Sequence, residues 1–335
     1  MTTTPRTLRR IAVKSFALES GEELRDLEQA YHLDGVLNAQ RDNLVLVLHA
    51  LTGSADAVGD WWAGVVGAGR PLDTNRWAVL APNLLGSCYG TTGPAGRPGE
   101  PFPQVTPRDQ ARFIALLVES LGVTNVALVT GGSLGGMVAL EWAALFPGRT
   151  RATVVLAAPA AHTAHAIAWN AVQRECLDQA GDAGVAIARQ ISMIAFRTER
   201  EFESRFGRAL EPDGRYRVAG YLAHHGAKLA ARFDAATYRT LLNAMDAHDI
   251  GRGRGGVARA LRALTGTVYA VGIPGDQLYS SEIVRQWAAQ AGAAYREIDS
   301  VHGHDAFLLE HEQVGEILRE ALDEAVRATS TRVVA

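Results

Sequence analysis

The hydrophobic positions of the chain fall into short unbroken runs separated by stretches with helical spacing. Leu44–His49 and Trp77–Ala81 are runs of the first kind, each ending in turn residues, and both read as buried strands. Between Arg108 and Leu121 the apolar residues Phe113, Leu116, Leu117 and Leu121 recur at helical spacing, and Gly122 ends the pattern. A strand is predicted again at Val126–Val129, a helix over Gly136–Phe146 ahead of Pro147, and a further strand at Ala152–Ala157. Strands alternating with helices, the strands nearly unbroken in their apolar character, predict an α/β fold with a mostly parallel sheet covered on both faces.

From about His162 to Met245 the pattern changes. No strand is legible there, and several helix-like segments rich in Ala, Arg and Glu suggest an inserted helical cap. The α/β pattern returns with a strand at Thr267–Gly272, a helix at Ser281–Gln290, a strand at Ala294–Ile298 and a closing helix after Glu312. The predicted organisation is one core in two parts, 1–160 and 263–335, interrupted by a cap over 161–262. Gly251–Gly256, a Gly-Arg-Gly-Arg-Gly-Gly run at the return junction, reads as a flexible hinge, because no strand precedes it as a phosphate-gripping loop would require. No internal period marks a solenoid or propeller.

Composition narrows the class without naming the chemistry. The 335 residues are 47% hydrophobic and 21% charged, an ordinary globular balance. Lys and Arg total 33 against 36 Asp and Glu, and a net charge of −3 argues against nucleic acid or an anionic membrane surface as partner. Two cysteines, Cys88 and Cys176, with no CxxC pair, exclude a disulfide framework and a Cys-rich metal site, and both read as packing or loop residues. The longest apolar stretch, Ala152–Ala161, is well short of the roughly 18 to 20 residues that span a bilayer. The first residues lack the apolar core of a secretory signal. A cytoplasmic enzyme is the expectation.

The most informative segment is Val126–Gly136, which sets Gly131-x-Ser133-x-Gly135 between a predicted strand and a predicted helix. That context is the one a nucleophile elbow needs, where a serine on a sharp turn projects its hydroxyl above the sheet. The alternative is a glycine-rich turn with an incidental serine. A serine hydroxyl needs a histidine base oriented by a carboxylate, and in α/β-hydrolases the chain order is Ser, acid, His. His302 and His304 sit in the loop after the last predicted strand, and spacing does not choose between them; His311, at the start of the final helix, reads as a surface residue. Asp276 follows the Thr267–Gly272 strand and is the expected acid, whereas Asp299 lies too close in sequence to the base. The oxyanion donors would be the amides of Leu134, directly after the nucleophile, and of Leu51, in the His49–Gly53 loop, with His49 bracing that loop. Glu310-His311-Glu312 resembles the start of a zinc-protease motif, but position 315 is Gly, and no acidic or cysteine partner supports metal binding at His302 and His304. No resident metal or cofactor is expected.

These blocks resemble the homoserine O-acyltransferases, α/β-hydrolases of methionine biosynthesis. The resemblance rests on His49–Gly53, Trp61-Trp62, Asn83–Pro94, Gly131–Met137, Glu141-Trp142 and Gly303–Leu308, in that order along the chain. It implies Ser133 as nucleophile, Asp276 as acid and His304 as base. It also implies that Arg189 binds the acceptor's α-carboxylate, a task suited to a planar guanidinium fork, and that Asp305 holds its α-ammonium. Two departures stand out: Leu134 replaces the usual Met, and Phe196 stands where some members carry a tyrosine whose hydroxyl helps grip the acceptor.

The implied reaction is acetyl transfer from acetyl-CoA, as co-substrate, to L-homoserine through an acyl-Ser133 intermediate, in a homodimer. The same residues leave open a succinyl donor, serine as acceptor, an esterase or thioesterase that transfers to water, and a non-catalytic binding scaffold. Arg189 separates the transferase from the hydrolase, which has no use for a carboxylate clamp.

Overall fold

The computed structural model describes residues 6–97 and 101–334. The chain opens with an antiparallel hairpin, β1 (Arg9–Ala17) and β2 (Glu23–Asp34), then enters the buried β3 (Leu44–Leu48). A short parallel pair, β4 (Val66–Gly67) and β5 (Leu72–Asp73), precedes β6 (Ala78–Pro82). Next come α1 (Pro107–Ser120), β7 (Val126–Gly132), α2 (Leu134–Leu145) and β8 (Thr150–Leu156). The helices α3 (Ala164–Ala180), α4 (Asp182–Phe196), α5 (Glu199–Arg205), α6 (Arg217–Ala230) and α7 (Ala235–Asp246) follow without an intervening sheet strand. The chain closes through α8 (Val257–Arg262), β9 (Thr267–Gly272), α9 (Ser281–Ala291), β10 (Ala294–Glu297), α10 (Ala306–Leu309) and α11 (His311–Val334).

Eight strands form one sheet in the order β1-β2-β6-β3-β7-β8-β9-β10, antiparallel at the β1-β2-β6 end and parallel from β6 onward. Side chains alternate across a strand, and β3 shows the result directly. Leu44, Leu46 and Leu48 pack on one face with α1 and α2, while Val45 and Val47 pack on the other with Trp62, Phe307 and α11. Both faces are buried, which is why this strand reads as a solid apolar run. The hairpin escapes the same reading because each of its strands interleaves buried and solvated positions, as in Glu23–Asp34 with Leu24, Leu27, Ala30 and Tyr31 inward. The predicted helix Gly136–Phe146 starts earlier, at Leu134, because Leu134 and Gly135 take helical conformation directly after the turn.

The helical segment leaves and rejoins the core at one narrow neck. Ala161 and Asp249 face each other as an antiparallel bridge, flanked by His162 N–H donating to His248 O at 2.9 Å and Ile250 N–H donating to Ala160 O at 3.0 Å. Within the cap, Gln173 on α3, Ser192 on α4 and Tyr238 on α7 share a buried knot of hydrogen bonds of 2.7 to 2.9 Å.

Gly251–Gly256, expected as a flexible hinge, is instead bolted down by its arginines. Arg254 reaches Glu141 at 2.8 Å and Arg252 reaches Glu19 at 2.9 Å, while Arg108 on α1 bridges the two carboxylates at 3.1 and 2.6 Å. Glu141 is buried, with a side chain 1% exposed, so its removal strands cationic groups out of water. Glu141→Ala is expected to cost about 3–5 kcal/mol, read from denaturant unfolding midpoints; a loss under about 1 kcal/mol would show the network to be no stronger than a surface pair.

Candidate active site

The parallel strands deliver their carboxyl ends to one edge of the sheet, and the turns there carry the chemistry. β7 ends at Gly132 and α2 begins at Leu134, so the reversal falls on Ser133, at φ 56° and ψ −124°. A non-glycine residue in that region costs about 1–3 kcal/mol and persists only where its surroundings impose it. They do so here by close approach: a Cβ on Gly135 would lie 2.2 Å from Leu48 O, and one on Gly131 2.7 Å from the same oxygen. The turn is thereby pressed onto β3. Ser133 spends no hydrogen bond on capping α2 and lines a narrow cavity of about 40 Å³.

The Leu134 amide opens α2 and is one of the unpaired donors of a helix N-terminus. Leu51, in the turn after β3, lines the same cavity, and its N–H has no acceptor among the described residues. His49 sets that turn: Nδ1 lies 2.8 Å from Ala50 O and Nε2 accepts from Leu84 N–H at 3.0 Å. Burial pushes its pKa down to about 4, so it is a neutral brace.

Asp276 lies beyond β9 and His304 beyond β10. Asp276 Oδ1 accepts from the amides of Leu278 and Tyr279 at 2.8 and 3.0 Å, while Oδ2 sits 2.7 Å from His304 Nδ1. Both residues are buried, and His304 Nε2 has no protein partner among the described residues, in the cavity that Ser133 also lines. Burial works against the imidazolium, yet the charge and hydrogen bond of Asp276, helped by Asp305, outweigh it and hold the His304 pKa above the ordinary histidine value. That is the balance of a base that must keep a proton once it has taken one.

The neighbouring candidates lie elsewhere. His302 turns away from the acid, its Nδ1 3.2 Å from Glu201 Oε2, and Asp299 is exposed. His311, expected at the surface, is half-buried against Gly64, where a Cβ would come within 2.2 Å of its Nδ1. Cys88 and Cys176 are half-buried and free, and burial pushes the Cys88 thiol up to about 11, which leaves it a poor nucleophile.

The cap supplies the opposite wall. Arg189 and Phe196, both on α4, line the cavity with Ser133, His304 and Asp305. Arg189 has no carboxylate partner among the described residues, and its guanidinium stands 5.8 Å from the centre of the Phe196 ring, which in turn lies 5.3 Å from His304. Asp305 is already engaged: Arg197 reaches its Oδ2 at 3.1 Å and is itself held by Glu201. The sequence reading did not single out Arg197 or Glu201. Their i,i+4 spacing is visible in the chain, but in sequence it looks like any helical surface pair, a commonplace signal.

A family model described as the alpha/beta hydrolase fold matches residues 43–181. The homoserine O-acetyltransferase of Thermobifida fusca is 43% identical over 91% of this chain and 90% of its own length. That of Mycobacterium tuberculosis is 40% identical, covering 96% and 95% respectively. Among solved structures, the homoserine O-acetyltransferase from Staphylococcus aureus superposes with a TM-score of 0.82 at 30% identity over 94% of each chain. Esterase E22 superposes with a TM-score of 0.85 at 19% identity over 94% and 99%, which is a likeness of fold.

Proposed function

The chain belongs to the homoserine O-acetyltransferases, and from that premise we propose that it moves an acetyl group from acetyl-CoA to the hydroxyl of L-homoserine by way of Ser133. His304 Nε2 takes the Ser133 proton as Oγ attacks the thioester carbon, and the amides of Leu51 and Leu134 receive the developing oxyanion. The tetrahedral intermediate collapses, the C–S bond breaks, and the proton on His304 leaves with the CoA thiolate. Homoserine then presents its hydroxyl to the same nitrogen, which removes the proton while the oxygen attacks the acyl carbon; collapse returns the proton to Ser133. The acyl-CoA is a co-substrate, and no step calls on a resident cofactor.

The observation that carries a transferase over a hydrolase is Arg189. A guanidinium left unpaired beside the triad favours an acceptor with a carboxylate, and water has none. Asp305, with one oxygen already on Arg197, offers the remaining one to the acceptor's ammonium. Phe196 closes the wall without a hydroxyl, so the grip on the amino acid rests on the two charged residues. Orientation of the bound acceptor then outweighs the abundance of water.

Thiol release from acetyl-CoA, followed with and without homoserine, tests this reading. Steady turnover that requires homoserine is expected, and turnover indifferent to any amino acid would replace the transferase by a thioesterase. Arg189→Ala is expected to raise the homoserine KM by about 10- to 100-fold, the cost of a lost charge-assisted hydrogen-bond pair, with the first-turnover burst intact. An unchanged KM would remove Arg189 from the acceptor site.

A further inference from the structure

Directly behind the acid–base pair runs a second chain of buried polar groups that the transfer steps do not use. The Tyr279 hydroxyl lies 2.8 Å from His162 Nε2, and His162 Nδ1 lies 3.1 Å from Asp246 Oδ1. The second contact is oblique: the two atoms are close, while the direction falls short of a good hydrogen bond. Asp246 is anchored in turn by Asn170 at 2.7 Å and by Arg174, both on α3. Tyr279 is fully buried, and the His162 side chain is 1% exposed.

We propose that Tyr279, His162 and Asp246 are positioning residues, a relay that holds the His304–Asp276 pair in register from the neck of the cap. The proposal rests on the triad reading above and adds to it. Tyr279 touches both members of that pair: its amide donates to Asp276 Oδ1 at 3.0 Å, and its ring meets the His304 ring edge-on with centroids 5.3 Å apart. The ring is therefore a wall for the imidazole, and the hydroxyl is the tether of the wall. Burial and the nearby charges of Asp276 and Asp246 oppose ionisation of Tyr279, so the hydroxyl keeps its proton; in the tautomer that carries the His162 proton on Nδ1, toward Asp246, the hydroxyl donates to Nε2.

The place of His162 distinguishes the relay from an ordinary satisfied core tyrosine. His162 is the residue at which the chain enters the cap, its own amide donating to His248 O on the returning segment, and Asp246 ends α7 just before that return. The tether thus ties the acid loop to both sides of the neck, and the position of α3 against α7 is passed to the imidazole through a single hydroxyl. The charged and titratable groups facing His304 are Asp276, Asp305 and Tyr279, with Arg189 on the opposite wall of the cavity, and the relay acts on the distance to the first of them.

Tyr279→Phe deletes the hydroxyl and keeps the ring. It is expected to lower kcat by about 10- to 100-fold, the scale of a small misplacement of a reacting group, with the homoserine KM within about twofold. Because the His304–Asp276 contact loosens, the acid limb of kcat/KM moves to lower pH. His162→Ala should do the same, the double variant should be no worse than either single one, and His162→Gln, which keeps an acceptor for the hydroxyl, should recover part of the loss. Tyr279→Phe with the parent kcat and the parent acid limb overturns the relay, as does a double variant whose losses multiply. Should His162→Ala fail to fold, Tyr279→Phe decides alone. Ser133→Ala, assayed alongside, separates the two levels: if it turns over, the triad reading fails, and if it is dead while Tyr279→Phe is normal, only the relay fails.

Discussion

Ser133→Ala is expected to abolish the thiol burst and to lower kcat by about 10⁶-fold, the loss seen when the nucleophile of a serine triad is removed. The variant is informative because it leaves the fold untouched. The hydroxyl makes no capping bond to α2, so its removal strands no helix donor, and an alanine Cβ occupies the place of the serine Cβ on the same strained turn. The unfolding free energy should stay within about 1 kcal/mol of the parent, because the change removes one hydroxyl and leaves the backbone turn as it is. A burst of normal size in a well-folded Ser133→Ala protein would move the nucleophile elsewhere.

Asp276→Asn carries the second large effect, about 10⁴-fold in kcat, through the tautomer of His304. The two amides of Leu278 and Tyr279 that donate to Oδ1 require an acceptor there, so the asparagine carbonyl must take that place and its NH₂ must take the place of Oδ2. Facing a donor, His304 Nδ1 has to accept, which puts the ring proton on Nε2, where it cannot remove a proton from Ser133. The pH profile supplies a separate signature. In the parent, burial lowers the His304 pKa, and the charge and hydrogen bond of Asp276 together with the charge of Asp305 outweigh it. With the carboxylate gone, burial prevails, and the acid limb of the residual kcat/KM shifts to lower pH. A loss below tenfold with an unmoved limb would exclude Asp276 as the orienting acid.

Strands β3, β6, β7, β8 and β9 of the parallel part are legible because they are buried on both faces and read as nearly solid apolar runs; Thr267–Gly272 is predicted residue for residue. The β1-β2 hairpin is not, because an edge pair with one solvated face dilutes its apolar positions with Arg, Glu and Lys. Site residues followed the same division. Ser133 announces itself through the glycines that its turn demands, and Asp276 through its place after a strand. His302 and His304 stand equal in spacing; the family resemblance points to His304, and the folded loop turns that ring toward Asp276 and the other toward Glu201. Arg197 left no trace that a search for motifs would find, since its partner Asp305 lies far along the chain and on another element.

The neck at Ala161 and Asp249 gives the cap the character of an exchangeable cassette. Chain ends already held side by side can be joined by a short connector at little entropic cost, or can receive a different insert without reshaping the sheet beneath. Part of the proposed acceptor grip then travels with the insert, on Arg189 and Phe196, while Asp305 stays with Ser133, Asp276 and His304 on the scaffold. A graft from a relative that keeps His162 and Asp246 at the neck is expected to alter that part of the grip and to leave intact how the acyl group is carried.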